Sequence, residues 1–220
     1  MDSTTFSTVG SNTWTCPAYV YSVKVECWGA GGKGGRYDHV LDTWSGGGGG
    51  GGGYARLNAF ASTPGTGYAY VVGGGSDSNN TTFNTSSCIA NRGGNAGSPN
   101  NYNPGTGSSG TGDVVHTGGT GGNANLSSIA GGGGGGAGAD GDGTNGGVPT
   151  VGQSGPPHPP YGTGGEGGGV GLLGSHGFAP GGGGGGHSTD FNSPPLAVGG
   201  DGQIILSYSY QYPQSICSTT

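Results

Sequence analysis

Apolar and polar residues alternate strictly along several short stretches of this chain. In 22–28, Val23, Val25 and Cys27 fall on one side and Lys24 and Glu26 on the other, the two-residue period of a half-buried strand. Ahead of it, 4–9 and 12–16 are short β-prone runs separated by Gly10-Ser11, a turn signal, and Pro17 ends the second because it cannot donate to a ladder. The alternation returns in 54–60. Thr63-Pro64-Gly65-Thr66 then has the Pro-Gly order of a type II turn, and 68–72 follows as a strand, so the pair reads as a hairpin. Shorter strands are expected at 81–83 and 88–90. The most apolar β-run, 203–208, closes the pattern, and the N-terminal strands are its available partners. No window carries a 3.6-residue apolar stripe, so essentially no α-helix is expected.

Between 93 and about 200 the alternation gives way to glycine. Runs at 131–136 and 181–186 are six glycines long, and an earlier run, 46–53, is eight. Polar or proline-rich pieces at 98–104, 140–145, 155–161 and 187–195 interrupt them. The expected organisation is a single domain over 1–220. Residues 1–92 form a β-rich scaffold, 93–200 a glycine-rich insertion, 201–210 the closing strand, and 211–220 a tail lying on the surface or against a neighbouring subunit. The fold class is all-β and irregular: a small antiparallel β-sandwich closed by the C-terminal strand.

Composition narrows what the insertion can be. Glycine supplies 61 of 220 residues, hydrophobic types 29% and charged types 7%, far from the average globular mixture. Disorder calls for few aromatics and high net charge, whereas this chain has 11 Tyr, 3 Trp and 5 Phe at a net charge of −6. Collagen needs glycine at every third position, which the unbroken run 46–53 violates; Pro and Asn interruptions argue against stacked cross-β. Glycine without Cβ can form extended helices with three residues per turn and no internal hydrogen bonds, whose amides must then pair with neighbouring rods. A bundle of such polyglycine II helices suits a segment with too few side chains to fill an ordinary core.

Charge and spacing exclude most chemistry. The basic residues, Lys24, Lys33, Arg36, Arg56 and Arg92, make no patch for nucleic acid. No apolar stretch approaches the roughly 20 residues of a membrane span. Residues 1–6 lack the basic and apolar regions of a signal peptide, so none is expected. Cys16, Cys27, Cys88 and Cys217 show no C-x-x-C pair and read as small buried thiols, with a Cys16–Cys27 contact between adjacent strands conceivable. Glycine-rich matches to dinucleotide motifs lie in no βαβ unit, and Gly34 stands where a phosphate loop needs Ser or Thr. The histidines, His39, His116, His158, His176 and His187, lack ligand spacing and read as exposed loop residues. Asp140, Asp142 and Asn145 resemble the start of a Ca²⁺ loop, but the third ligand is displaced and no downstream Glu follows, so an acidic turn is the plainer reading. The acidic residues show no paired arrangement for glycoside hydrolysis. No enzyme activity, cofactor or metal is expected.

The interruptions carry Asn, Ser, Thr, Pro, Tyr, His and Phe, a palette for adaptable polar contacts with aromatic anchors, although the same residue types also make plain turns. A family likeness bears on the choice. Trp14-Thr15-Cys16-Pro17, then Val23-Lys24-Val25-Glu26-Cys27-Trp28-Gly29-Ala30-Gly31-Gly32, resembles the opening of the glycine-rich domain of phage tail and fibre proteins. The pieces Gly51-Gly52-Gly53-Tyr54-Ala55, Thr63-Pro64-Gly65-Thr66, Tyr70-Val71-Val72-Gly73-Gly74-Gly75 and 199–208 also match, so the likeness brackets residues 14–208. By composition the glycine-rich half is similar to phage-fibre tip adhesins that display loops from polyglycine II bundles. The resemblance implies a non-enzymatic virion protein, assembled in the host cytoplasm and working by receptor binding or virion assembly. Other virion proteins, a host-surface receptor and further copies of the chain would be its partners. Contact candidates are Tyr37, His39, Trp44, Asn100, Asn101, Tyr102, His158, Tyr161, His187 and Phe191. A capsid decoration without receptor binding is the alternative. An ice-binding protein would want a flat face of regularly spaced threonines, and a matrix protein an export signal; neither fits as well.

Overall fold

Every strand anticipated from the alternation forms in the computed structural model, which describes residues 1–36, 45–97, 103–124, 130–147, 173–187 and 196–212. In chain order the strands are β1 (Asp2–Phe6), β2 (Gly10–Thr15), β3 (Ser22–Trp28), β4 (Tyr54–Ala61), β5 (Gly67–Val72), β6 (Thr81–Phe83), β7 (Cys88–Ala90), β8 (Gly110–Thr111), β9 (Val114–His116) and β10 (Gln203–Tyr208). They make two antiparallel sheets, ordered β1-β10-β3-β4-β9 and β2-β5-β6-β7-β8. Among the described residues there is no α-helix.

The core fills the gap between the sheets. Val23, Val25 and Cys27 of β3 point into it beside Ile204 and Leu206 of β10 and Val72 and Phe83 of the facing sheet. Trp14 packs its ring against Tyr68, Phe83 and Tyr208. The closing strand is central: β10 lies between β1 and β3, pairing Ile204 with Phe6 on one side and with Cys27 on the other. On the outer face of β3, Lys24 Nζ sits 2.8 Å from Glu26 Oε2, and the Tyr54 hydroxyl donates to Glu26 Oε1 at 2.7 Å.

Three expectations need correction. β4 and β5 are not a hairpin. The type II turn forms, with Gly65 at φ +80° and Thr66 N–H donating to Thr63 O. It carries the chain from one sheet to the other, however, because β5 pairs with β2 rather than β4. A turn fixes local reversal; the ladder a strand joins depends on which apolar face needs covering. Cys16 and Cys27 lie in opposite sheets, and the Cys27 thiol instead meets Cys88 of β7. Burial, then the contact with Cys88, pushes the Cys27 thiol well above its ordinary value. Finally, β8 and β9 lie inside the stretch read as a glycine-rich insertion with polar loops. They attach to β7 and β4 respectively, closing one side of the sandwich.

The glycine-rich segments form a lattice of extended rods in register with a three-residue repeat. Gly46, Gly49 and Gly52 donate to the carbonyls of His187, Gly184 and Gly181. Gly48 and Gly51 donate to Gly122 and Gly119, and Gly50 and Gly53 to Gly94 and Asn91. In return Gly29, Gly32 and Gly35 donate to Gly53, Gly50 and Gly47. Gly131, Gly134 and Ala137 donate to Gly46, Gly49 and Gly52, while Gly105 and Ser108 donate to Gly48 and Gly51. Partners that step by three on both sides define a polyglycine II-type helix with three residues per turn.

The 46–53 rod is therefore the centre of a hexagon whose corners are 29–35, 91–97, 103–109, 117–122, 131–137 and 181–187. Successive corners also bond to each other, as in Gly94 N–H to Thr106 O, Gly119 to Gly135, and Gly183 to Gly134. Outside this ring, 143–147, 196–200 and 173–178 dock on its rim. The 46–53 centre lies before residue 92, so a boundary drawn there does not separate sandwich from bundle.

Glycine run length follows from enclosure. A rod with neighbours on all sides has no direction in which a Cβ fits, and a methyl built on Gly48, Gly49 or Gly51 falls closer than 3.0 Å to a neighbouring carbonyl. Rim rods face outward once per turn. There the third residue is free to be something else, as in Thr117-Gly118-Gly119-Thr120-Gly121-Gly122-Asn123.

Candidate functional site

The rods share one axis with the sandwich, and this gives the molecule two unlike poles. At the inner pole several rods run straight into the sheets: Trp28 into Gly29, Gly53 into Tyr54, Ala90 into Asn91, His116 into Thr117 and Gly202 into Gln203, whereas 131–137 turns back into 143–147 and 173–178 turns into 181–187. At the outer pole, Gly35 is level with Gly47, Gly46 with His187 and Gly131, Gly97 with Asn103, and Gly34 with Ala197. The described residues that flank 37–44, 98–102, 125–129, 148–172 and 188–195 lie at this outer pole. A rod of seven residues at about 3.1 Å each stands the pole some 20 Å from the sandwich.

The candidate contact residues divide accordingly. Tyr37, His39, Trp44, Asn100, Asn101, Tyr102, His158, Tyr161 and Phe191 lie outside the described residues. His187 is different. Its side chain is buried at 2% exposure, and its Nδ1 accepts the Gly174 N–H at 3.1 Å. It is a lattice residue, not a surface contact.

Asp140, Asp142 and Asn145 do not converge as ligands, and among the described residues no group of three or more metal-binding side chains occurs. Asp142 Oδ1 accepts the Thr117 N–H at 2.7 Å and lies 3.6 Å from His116 Nδ1; Asn145 Oδ1 accepts the Thr120 N–H at 2.9 Å. These side chains stand in for the next rod. A rim rod has N–H groups with no neighbouring carbonyl, and a buried amide left unpaired costs about 1–3 kcal/mol. Asx side chains supply the missing acceptor. Asn95 Oδ1 does the same for Lys33 N–H and Asn80 Oδ1 for Arg92 N–H, each at 2.9 Å.

A protein-family model described as the glycine-rich domain matches residues 5–209. The chain belongs to the glycine-rich domain family. No curated protein matches it. In this glycine-rich domain the capping roles of Asp142 and Asn145 were hidden behind a likeness to a cation loop. Their three-residue spacing, matched by Thr117 and Thr120, was the available signal.

The far end of the sandwich has its own character. Tyr19, Tyr21, Tyr210 and Tyr212 are exposed there, with Tyr212 stacked on Tyr210 and tilted against Tyr19. Gln211 N–H donates to Tyr19 O, holding the two segments together. Among the described residues no helix is long and apolar enough to cross a membrane.

Proposed function

We propose that this glycine-rich domain is a non-enzymatic bacteriophage virion component of tail-fibre or adhesin type. In this reading it presents polar and aromatic segments from the outer pole of the bundle toward a host surface or a neighbouring virion protein. The observation that carries the reading is that the described residues flanking 37–44, 98–102, 125–129, 148–172 and 188–195 share one end of a hydrogen-bonded lattice. Recognition residues concentrate on loops held by a stiff scaffold, and a rod lattice in which the amides of Gly46 and of 48–53 are all paired is such a scaffold. The likeness of 14–208 to phage tail and fibre domains supplies the virion context. The opposite pole, with its exposed tyrosines, is the face left for attachment to the particle.

Two experiments test this. Antibody labelling of the phage particle in electron microscopy should place the chain at a fibre or tail tip, and purified protein should compete with phage for host adsorption. Tyr102→Ala and Tyr161→Ala should weaken that competition at unchanged melting temperature. Labelling confined to the capsid, with no competition, would replace the adhesin reading by a decoration role. Absence from the particle would end the virion reading.

A further inference from the structure

We propose that Cys27 and Cys88 are a site of oxidative cross-linking, where loss of two electrons joins the two sheets by a disulfide at the root of the bundle. The geometry begins in the lattice. Rods 29–35 and 91–97 are neighbours running the same way, since Gly93 N–H donates to Ala30 O and Ala96 N–H to Lys33 O. They touch at their first residues: a Cβ built on Gly29 would fall on the carbonyl of Asn91. β3 feeds the first rod and β7 the second, yet the two strands belong to different sheets. Packed sheets ordinarily stand about 10 Å apart, more than the roughly 4.4–6.8 Å between Cα atoms that a disulfide spans. Here the adjoining rods pinch the sheets together at one end.

Cys27 stands two residues before Gly29 and Cys88 three before Asn91, so both lie at the pinch. Each is fully buried in the core between the sheets, and the two thiols meet. Cys16 is no competitor. It follows β2 at the end remote from the rods, and its thiol donates to Val20 O at 3.2 Å. A bridge from 27 to 88 would close a loop of about 60 residues that contains both 29–35 and the central rod 46–53. Restricting the unfolded chain over that loop stabilises sandwich and bundle together.

The oxidant is a small disulfide, with glutathione disulfide as the probe. One cysteine, as thiolate, attacks it; the small S–S bond breaks and one small thiol leaves, giving a mixed disulfide. The second cysteine then attacks the protein sulfur of that mixed disulfide and expels the other small thiol. Both protein S–H protons and both electrons end on the two small thiols, which balances the step. A mixed disulfide has no room where both sulfurs are fully enclosed. Exchange therefore occurs while the chain is folding or opened, and native packing selects the 27–88 pairing. Once shut, the bridge is shielded from reductants by the same enclosure.

The test refolds the full wild-type chain from denaturant in a buffer of glutathione and glutathione disulfide, and in parallel with dithiothreitol alone. After remaining thiols are alkylated in denaturant, peptide mapping by mass spectrometry without reduction should find Cys27 joined to Cys88 and Cys16 alkylated. The bridged protein should melt about 5–15 °C above the reduced one, the range for a disulfide closing a long loop in a chain of this size. Cys88→Ala should leave Cys27 alkylated and abolish the gain. Mapping that finds Cys27 and Cys88 both alkylated, or Cys27 joined to another cysteine, overturns the proposal. A bridged protein melting no higher than the reduced one does the same, since strain would then have cancelled the constraint. Should Cys88→Ala not fold, mapping and melting of the wild type decide by themselves.

Discussion

Replacing Gly51 by alanine should unfold much of the bundle, although the same change elsewhere commonly stabilises a protein. An alanine restricts the unfolded chain, and where the native backbone accepts it the gain is about 0.4–1 kcal/mol. At Gly51 the new methyl would lie on the carbonyl of Gly135, closer than 3.0 Å, with Gly136 N behind it. The obstacle is backbone on a rod that is itself hydrogen-bonded to further rods, so no side chain can rotate away. Restoring ordinary carbon–oxygen contact means moving two rods apart by on the order of 1 Å. That motion strains the bonds around the same turn: Gly51 N–H to Gly119 O at 2.8 Å, Gly134 N–H to Gly49 O at 2.9 Å and Ala137 N–H to Gly52 O at 2.9 Å. With each buried amide left unpaired costing about 1–3 kcal/mol, two of them lose roughly 2–6 kcal/mol against a total of about 5–15. In thermal unfolding followed by circular dichroism, at about 2–4 °C per kcal/mol for a chain of this size, the melting point should fall by about 5–20 °C. Thr120→Ala is the control, placed at an outward position of a rim rod, and should shift it little. A Gly51→Ala protein melting at or above the wild-type temperature would show that the rods are not close-packed around 46–53, and the enclosure argument would fail.

Asn145→Ala should destabilise by about 0.5–1.5 kcal/mol, the net worth of one hydrogen bond, because Thr120 N–H loses its acceptor; Asn145→Asp should restore it, and urea denaturation of both variants checks the pair. Alkaline pH should weaken the fold. Both Cys27, through burial, and Tyr54, through burial and its bond to Glu26, are raised above ordinary values of 9.0 and 10.0 in the folded state. A raised acid favours the folded form below its unfolded value, and that advantage is lost as pH rises through the folded value. The urea midpoint should therefore fall above about pH 9, less steeply in Cys27→Ala, and native Cys27 should resist thiol reagents until the protein unfolds.

Sequence alone determined the strands and the character of the glycine. Alternation located β3, β4, β5 and β10 because each presents one face to the core, and side-chain order along an extended chain is a local property. The length of the run 46–53 recorded enclosure, since only a rod surrounded by others must exclude Cβ from every position. Tertiary structure decided the pairings. The turn at Gly65 has one local geometry whether β5 returns to β4 or crosses to β2, and nothing in its residues distinguishes the two. The strands β8 and β9, two and three residues long, gain their ladders from β7 and β4 and have too few positions to show a period. His187 looked like a loop histidine because it follows six glycines and precedes polar residues. It is a core residue because the 173–178 rod, which precedes that run and folds back beside it through the turn at 179–181, needs an acceptor where the imidazole stands. Many hydrogen bonds between rods, such as Gly52 N–H to Gly181 O and Gly131 N–H to Gly46 O, join residues far apart in the chain whose relation is a shared step of three.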